Sequence, residues 1–210
     1  LGGIAFFPCI IMPISLVIAC HNLCTDSNLL SWEQSTCLLT LFSCLFMLYL
    51  MGMRDDLIGM RYRAKFIIQT LCGLLLVASG FCFDNLYGLF GIYELPYYVG
   101  IPFTVFIIVY IMNAINLIDG IDGLASGLSM IAFFAFGCMF VCLHWWLYAF
   151  ISFAALGALI PFFYYNMFGQ TRRGRKVFMG DTGSLFLGGA IAALAFAYDM
   201  PLILITPVSY

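Results

Sequence analysis

The 210 residues of this chain are 64% hydrophobic and only 9% charged, with a net charge of −2. Soluble domains run at about 45–50% apolar and about 25% charged, so a soluble fold is excluded. Period-two alternation is absent, which excludes a closed β-barrel, and the slight acidic excess leaves no expectation of a nucleic-acid partner.

In chain order the apolar segments fall at residues 4–20, 35–52, 64–82, 99–117, 124–143, 147–165, 184–198 and from 201 onward. Each is long enough to be read as a crossing of the hydrocarbon, which needs about 20 helical residues. The expected fold is an all-α, polytopic transmembrane helix bundle of about eight spans, one domain over 1–210, embedded in the lipid bilayer. The chain opens at Leu1-Gly2-Gly3 without Met and stops at Tyr210 inside an apolar run, so both ends read as cut. The first apolar stretch lacks a basic leader and a small-residue cleavage site, and reads as a span and not a signal peptide. The nine cysteines include no Cys-x-x-Cys pair and read as free, buried thiols.

Alternating spans put residues 53–63, 118–123 and 166–183 on one face. All eight basic residues, Arg54, Arg61, Arg63, Lys65, Arg172, Arg173, Arg175 and Lys176, lie on that face or at its edge. By the positive-inside rule it is cytoplasmic. The opposite side carries Asp26, Glu33, Asp84, Glu94 and Asp199, read as solvated loop acids, and a Gly- and Tyr-rich connection over 84–100 read as a hairpin or interfacial turn.

Three acidic clusters share the basic face: Arg54-Asp55-Asp56, Asn113-Ala-Ile-Asn116-Leu-Ile-Asp119-Gly120-Ile-Asp122-Gly123, and Gly180-Asp181-Thr182-Gly183-Ser184. A carboxylate at the centre of a membrane helix costs roughly 2.5 to 3.5 kcal/mol, so clustered ones point to a metal or a phosphate. Successive helical side chains diverge by about 100°, so of Asp55 and Asp56 one is expected to face the site and the other to support it. Asn113, Asn116, Asp119 and Asp122 recur every third residue on one helical stripe, but Gly120 and Gly123 argue that the helix breaks. Irregular backbone at membrane depth is tolerated where it lines a cavity or is buried. The Gly180–Ser184 segment reads as a tight turn entering a helix, either an N-cap or a metal carboxylate beside a phosphate-binding helix terminus.

Oxygen ligands without a His or Cys cluster suit Mg²⁺, with Mn²⁺ the alternative; Mg²⁺ is commonly held by one or two carboxylates plus substrate phosphates. The basic residues at the same mouth would attract a polyanion.

Gly52-Met-Arg-Asp55-Asp56, Lys65-x-x-x-Gln69, Asn113-Ala-x-Asn116-x-x-Asp119-Gly-x-Asp122-Gly-Leu-Ala125 and Phe178-Met-Gly-Asp181-Thr-Gly-Ser-Leu185, in this order, resemble the polyprenyl-phosphate N-acetylhexosamine-1-phosphate transferases of glycosyltransferase family 4. The resemblance covers essentially the whole chain. It implies Mg²⁺-dependent transfer of a sugar 1-phosphate from a UDP-sugar to a polyprenyl phosphate such as undecaprenyl phosphate. UMP is released, and a cell-surface glycan is initiated at the bacterial cytoplasmic (inner) membrane. The Asn-Ala-x-Asn form is more similar to the UDP-GlcNAc branch than to the UDP-N-acetylmuramoyl-pentapeptide branch.

By the same resemblance Asp181 is a metal ligand, with Asp56 as a second, and Asp55 and Asp56 are the catalytic pair. One of that pair would meet metal or phosphate while the other accepts a proton; direct displacement and an aspartyl-phosphate route both stay open. Asn113, Asn116, Asp119, Gly120 and Asp122 line the nucleotide-sugar pocket, Phe178 stacks on uracil and Lys65 meets a phosphate. A homodimer is compatible with this reading. A Pro-rich basic leader would precede Gly2 and a His-bearing loop would follow the last motif; His21 and His144, on the opposite face, are no substitute.

Two other readings compete. An intramembrane prenyltransferase also holds a prenyl diphosphate on Asp-rich helix ends, but its Asn-x-x-Asp pattern is spaced differently and has no counterpart to the Gly180–Ser184 turn. An ion-coupled transporter would place its acids near the midplane of repeated halves; here they lie at one end and no repeat is visible.

Overall fold

A computed structural model describes residues 2–24, 30, 32–82, 93, 95–169 and 176–197. Among them there is no strand. A short 3₁₀ turn, Gly3–Ala5, leads into seven α-helices: α1 Phe6–Cys24, α2 Trp32–Ile58, α3 Tyr62–Ala78, α4 Tyr97–Ile118, α5 Leu124–Cys142, α6 Trp146–Phe168 and α7 Gly180–Ala197. All but α3 are long and apolar enough to cross a membrane. The 17 residues of α3 rise about 26 Å, at the short end of that range. The chain is a polytopic all-α membrane protein.

The first seven expected spans match these helices, with boundaries moved at the site. Helix α2 runs on to Ile58, so Asp55 and Asp56 lie in its last turns and not in a loop. Helix α7 starts at Gly180, so the expected turn over 180–184 is already helical. The polar stripe does break: α4 ends at Ile118, and turns through Gly120 and Gly123 lead to α5. The eighth span, most of the 84–100 connection, Asp26, Asp84, Glu94, Asp199, Arg172, Arg173, Arg175 and the side chain of Glu33 lie outside the described residues.

Helix α7 is the axis of the bundle. Its residues from Thr182 to Phe196 are all buried, whereas the other spans present large apolar side chains outward, as helices facing lipid do. It packs chiefly against α2 and α4. Gly188, Gly189, Ala192 and Ala193 on its surface allow this close approach, since association within lipid relies on tight packing of small residues. The core around it includes Leu45 and Leu48 of α2, Ile108 and Met112 of α4, and Phe133 of α5.

No disulfide joins the cysteines among the described residues. Only Cys44 and Cys72 are buried; Cys9, Cys20, Cys24, Cys138 and Cys142 are exposed on the helix surfaces, because an apolar span also turns residues toward lipid.

Candidate active site

The three acidic clusters meet at one end of the bundle, around the N-terminus of α7. Gly52 makes the approach of α2 possible: a Cβ there would lie 2.5 Å from the Cα of Thr182. One turn later the two adjacent carboxylates separate. Asp56 turns to α7, where its Oδ1 accepts the N–H of Asp181 at 2.8 Å and its Oδ2 accepts the N–H of Thr182 at 3.0 Å and the Thr182 hydroxyl. These are orphan donors of a helix N-terminus, satisfied by a charged group from another helix at the positive end of the dipole. Gly180, at φ +71°, completes the fit, because a Cβ there would sit 2.7 Å from Asp56 Oδ2.

Asp55 turns the other way. Its Oδ1 accepts the Met60 N–H at 2.7 Å, closing the α2–α3 turn, and its Oδ2 pairs with Lys65 Nζ at 2.7 Å. Lys65 also pairs with Asp181 Oδ2 at 2.8 Å, so one ammonium bridges carboxylates from α2 and α7. The other oxygen of Asp181, Oδ1, accepts from Asn116 Nδ2, which also reaches Ser184 Oγ at 2.8 Å. Lys65, Asp55, Asp56, Asn116 and Asp181 thus form one hydrogen-bonded cluster drawn from α2, α3, α4 and α7.

Asp119, just beyond α4, joins it electrostatically. Burial, reinforced by the negative charges of Asp181 and Asp56, pushes its carboxyl up to about 7, against the opposing Gly180 N–H; Asp122 adds to the rise. The acidic groups Asp55, Asp56, Asp119 and Asp181 thus gather where Lys65 pairs with Asp55 and Asp181, while Asp56 is turned to the N-terminus of α7.

The remaining expected site residues stand around this centre. Asn113 is turned from the acids to α3, donating to Gln69 Oε1 at 2.9 Å and to the Val109 carbonyl at 2.8 Å. Gly120 is exposed at the turn. Asp122 pairs with Lys176, whose ammonium lies 5.5 Å from the centre of the exposed Phe178 ring. The stripe with its spacing of three is thus split: Asn113 and Asn116 diverge to α3 and α7, as residues three apart drift around a helix of 3.6 residues per turn, and Asp119 and Asp122 lie beyond the end of α4.

Several contributors were not given roles from the sequence. Thr182 and Ser184 stood inside a recognised motif, and Gln69, four residues after Lys65, shares its helical face. Asn166 gave the weakest signal, as the lone Asn of an aromatic helix end. It is buried, accepting the Gly123 N–H at 2.7 Å and donating to the Val177 carbonyl at 2.8 Å, and so ties two loops of the site together.

Two recesses open beside the cluster on the α3–α4 side. One, of about 540 Å³, is bounded by Tyr62, Lys65, Phe66, Gln69 and Asn113. The other, also about 540 Å³, is almost wholly apolar and runs from Asn113 and Phe66 past Leu74, Val105 and Phe106 to Ile101. They share Phe66 and Asn113. A third cavity, of about 390 Å³, lies at the opposite end beside His144 and Trp145, away from the acids.

A sequence profile of glycosyl transferase family 4 matches residues 38–199, which carry every one of these site residues. The chain belongs to that family. Within family 4 it is 37% identical over 180 residues to a phospho-N-acetylmuramoyl-pentapeptide-transferase of Enterococcus faecalis, covering 79% of this chain and 54% of the relative. It is 37% identical over 158 residues to a probable undecaprenyl-phosphate N-acetylglucosaminyl 1-phosphate transferase of Bacillus subtilis, covering 71% and 41%. It is 42% identical over 106 residues to a phospho-N-acetylmuramoyl-pentapeptide-transferase of Caldanaerobacter subterraneus, covering 50% and 31%. The chain thus spans between about a third and about half the length of these family 4 relatives.

Metal binding must be judged on the donors themselves. Among the described residues no three His, Cys, Asp or Glu side chains form a closed metal cage. Mg²⁺ does not need one, being held by one or two carboxylates together with water and phosphate. The excess of carboxylates over ammonium groups and the raised carboxyl of Asp119 fit a site that takes additional positive charge.

Proposed function

We propose that the protein transfers a sugar 1-phosphate, GlcNAc-1-phosphate on the motif evidence, from a UDP-sugar to undecaprenyl phosphate. UMP is released and a cell-surface glycan is initiated on the cytoplasmic side of a bacterial membrane. The observation that carries this reading is the bridge of Lys65 between Asp55 and Asp181, with Lys65 lining a recess that shares Phe66 and Asn113 with an apolar groove. A prenyl chain fits the groove along α3 and α4, with its phosphate at the Lys65 end. Family membership favours this chemistry over the prenyltransferase and the transporter.

Asp181 and Asp119 are the residues suited to hold Mg²⁺: the oxygens of Asp181 are met by the rotatable side chains of Lys65 and Asn116, whereas both oxygens of Asp56, the ligand expected beside Asp181, accept backbone N–H groups of the first turn of α7. A bound Mg²⁺ supplies charge neutralisation for the diphosphate. Lys65 fixes the two carboxylates and keeps a third N–H for a phosphate oxygen, as an ammonium has three donors. Asp55, oriented by Met60 and Lys65, accepts the proton that a monoanionic lipid phosphate still carries. The lipid oxygen then attacks the β-phosphorus of the UDP-sugar, the bond to the α-phosphate oxygen breaks, and UMP leaves with that bond's electron pair. Asp56 takes no proton in this scheme; its carboxylate holds Asp181 in register. Asp122 and Phe178 flank the position proposed for the base.

The names of the relatives span two donors, and UDP-N-acetylmuramoyl-pentapeptide is the second reading for the same chemistry. UMP release by the full-length protein, measured with undecaprenyl phosphate, Mg²⁺ and each UDP-sugar in turn, tests both. Release with one donor is expected, and Asp181→Asn should abolish it while the variant still folds and inserts. No release with any donor, or near-normal turnover in Asp181→Asn, would overturn the reaction or the metal assignment respectively.

A further inference from the structure

Lys176 contacts both groups placed at the base position, Asp122 and Phe178. Its segment is held by backbone bonds: the Val177 carbonyl accepts from Asn166, and the Phe178 carbonyl accepts the Gly2 N–H at 2.8 Å. Asn166 also accepts the Gly123 N–H, so one buried side chain fixes the Lys176 segment relative to the Asp122–Gly123 turn. Across that frame Lys176 Nζ lies 2.5 Å from Asp122 Oδ2 and 5.5 Å from the Phe178 ring centre. The backbone is tethered from both sides, while the four-carbon stem remains flexible.

Resting on the reading that Asp122 and Phe178 take the nucleobase, we infer that Lys176 is a specificity-determining residue that makes base binding conditional on phosphate. Lys176 holds one face of Phe178 and one oxygen of Asp122, so a base that stacks on that face and donates an N–H to that oxygen takes the position of the ammonium. A neutral imide N–H is a weaker partner for a carboxylate than an ammonium. A nucleoside therefore replaces a charged contact with a neutral one. A nucleotide brings phosphate oxygens that accept the displaced ammonium, and the charge loss is made good. The Lys176–Phe178 segment runs directly into Gly180 and Asp181 at the start of α7, where Asp181 pairs with Lys65, so the pair lies beside the carboxylate cluster proposed to meet those phosphates.

The test compares uridine and UDP binding to the full-length protein in lipid nanodiscs with Mg²⁺, for the parent, Lys176→Met and Lys176→Arg. In Lys176→Met uridine should bind several-fold more tightly and UDP several-fold less tightly, so the preference for UDP shrinks by about tenfold or more. Lys176→Arg should keep the parent's preference. A parallel change in both affinities, or an unchanged preference, overturns the role of Lys176. Phe178→Ala and Asp122→Asn, each combined with Lys176→Met, separate the two premises: both should weaken uridine. If neither does, the base position itself is wrong, and the inference falls for that reason.

Discussion

Asp56 accepts the backbone N–H of Asp181 at 2.8 Å, so one motif carboxylate caps the helix that carries another. At the N-terminus of α7 Asp56 reaches in from the adjacent helix. The position of Asp181 beside Lys65 and Asn116 thus depends on α2 as much as on α7.

Removing that cap should cost both stability and turnover. Asp56→Ala is expected to lower stability by about 1–2 kcal/mol, the upper range for a lost N-cap, with Thr182→Val costing less. Thermal unfolding in detergent reads the first effect and UMP release the second. A stable but inactive Asp56→Ala would instead mark Asp56 as a group acting directly on substrate.

Gly52 is the second lever on the same geometry. A methyl at Gly52 would meet the Thr182 backbone at 2.5 Å, where no flexible side-chain end can yield. Gly52→Ala is expected to cost about 1–3 kcal/mol, as overpacking does, and to reduce turnover more than Gly157→Ala, which meets nothing within 4 Å. Equal behaviour of the two variants would mean that α2 and α7 are not held in this register.

The carboxyl of Asp119 gives a pH dependence with a definite sign. Its folded-state value is raised to about 7, chiefly by burial and then by Asp181 and Asp56, against about 3.9 for a free Asp. The stabilising contribution of the neutral form is present in full below about 3.9 and is lost as pH rises to about 7. Asp119→Asn removes that loss. With a chelator present, the melting temperature of Asp119→Asn should rise relative to the parent between about pH 4 and pH 7 and level off above. A divalent ion should narrow the difference at high pH. A difference that is constant across the range would contradict the raised value.

Much of this protein is legible in sequence because the bilayer leaves few options. Runs of about 20 apolar residues must be helices, and the one-sided basic residues fix which helix ends lie together. The four motifs were therefore assigned to one face without tertiary information. That Asp55 and Asp56 must diverge also follows from a helix's 100° step alone.

What periodicity does not contain is the neighbour at which each side chain points. Asn113 faces Gln69 while Asn116 faces Asp181; Asp56 is used by the α7 backbone while Asp55 meets Lys65. Each choice depends on which helices pack together and how closely, as with Gly52 against Thr182, and these are contacts between residues tens of positions apart. Asn166 carries no functional role in the sequence, and Lys176 only the general one of a basic residue attracting a polyanion, for the same reason: a lone polar residue has meaning only through the loops it joins. A helical membrane bundle with its acidic motifs at one end follows from the sequence alone. Tertiary packing decided which carboxylate caps, which pairs with Lys65 and which is left raised near 7, because those outcomes depend on distances that only the assembled helices define.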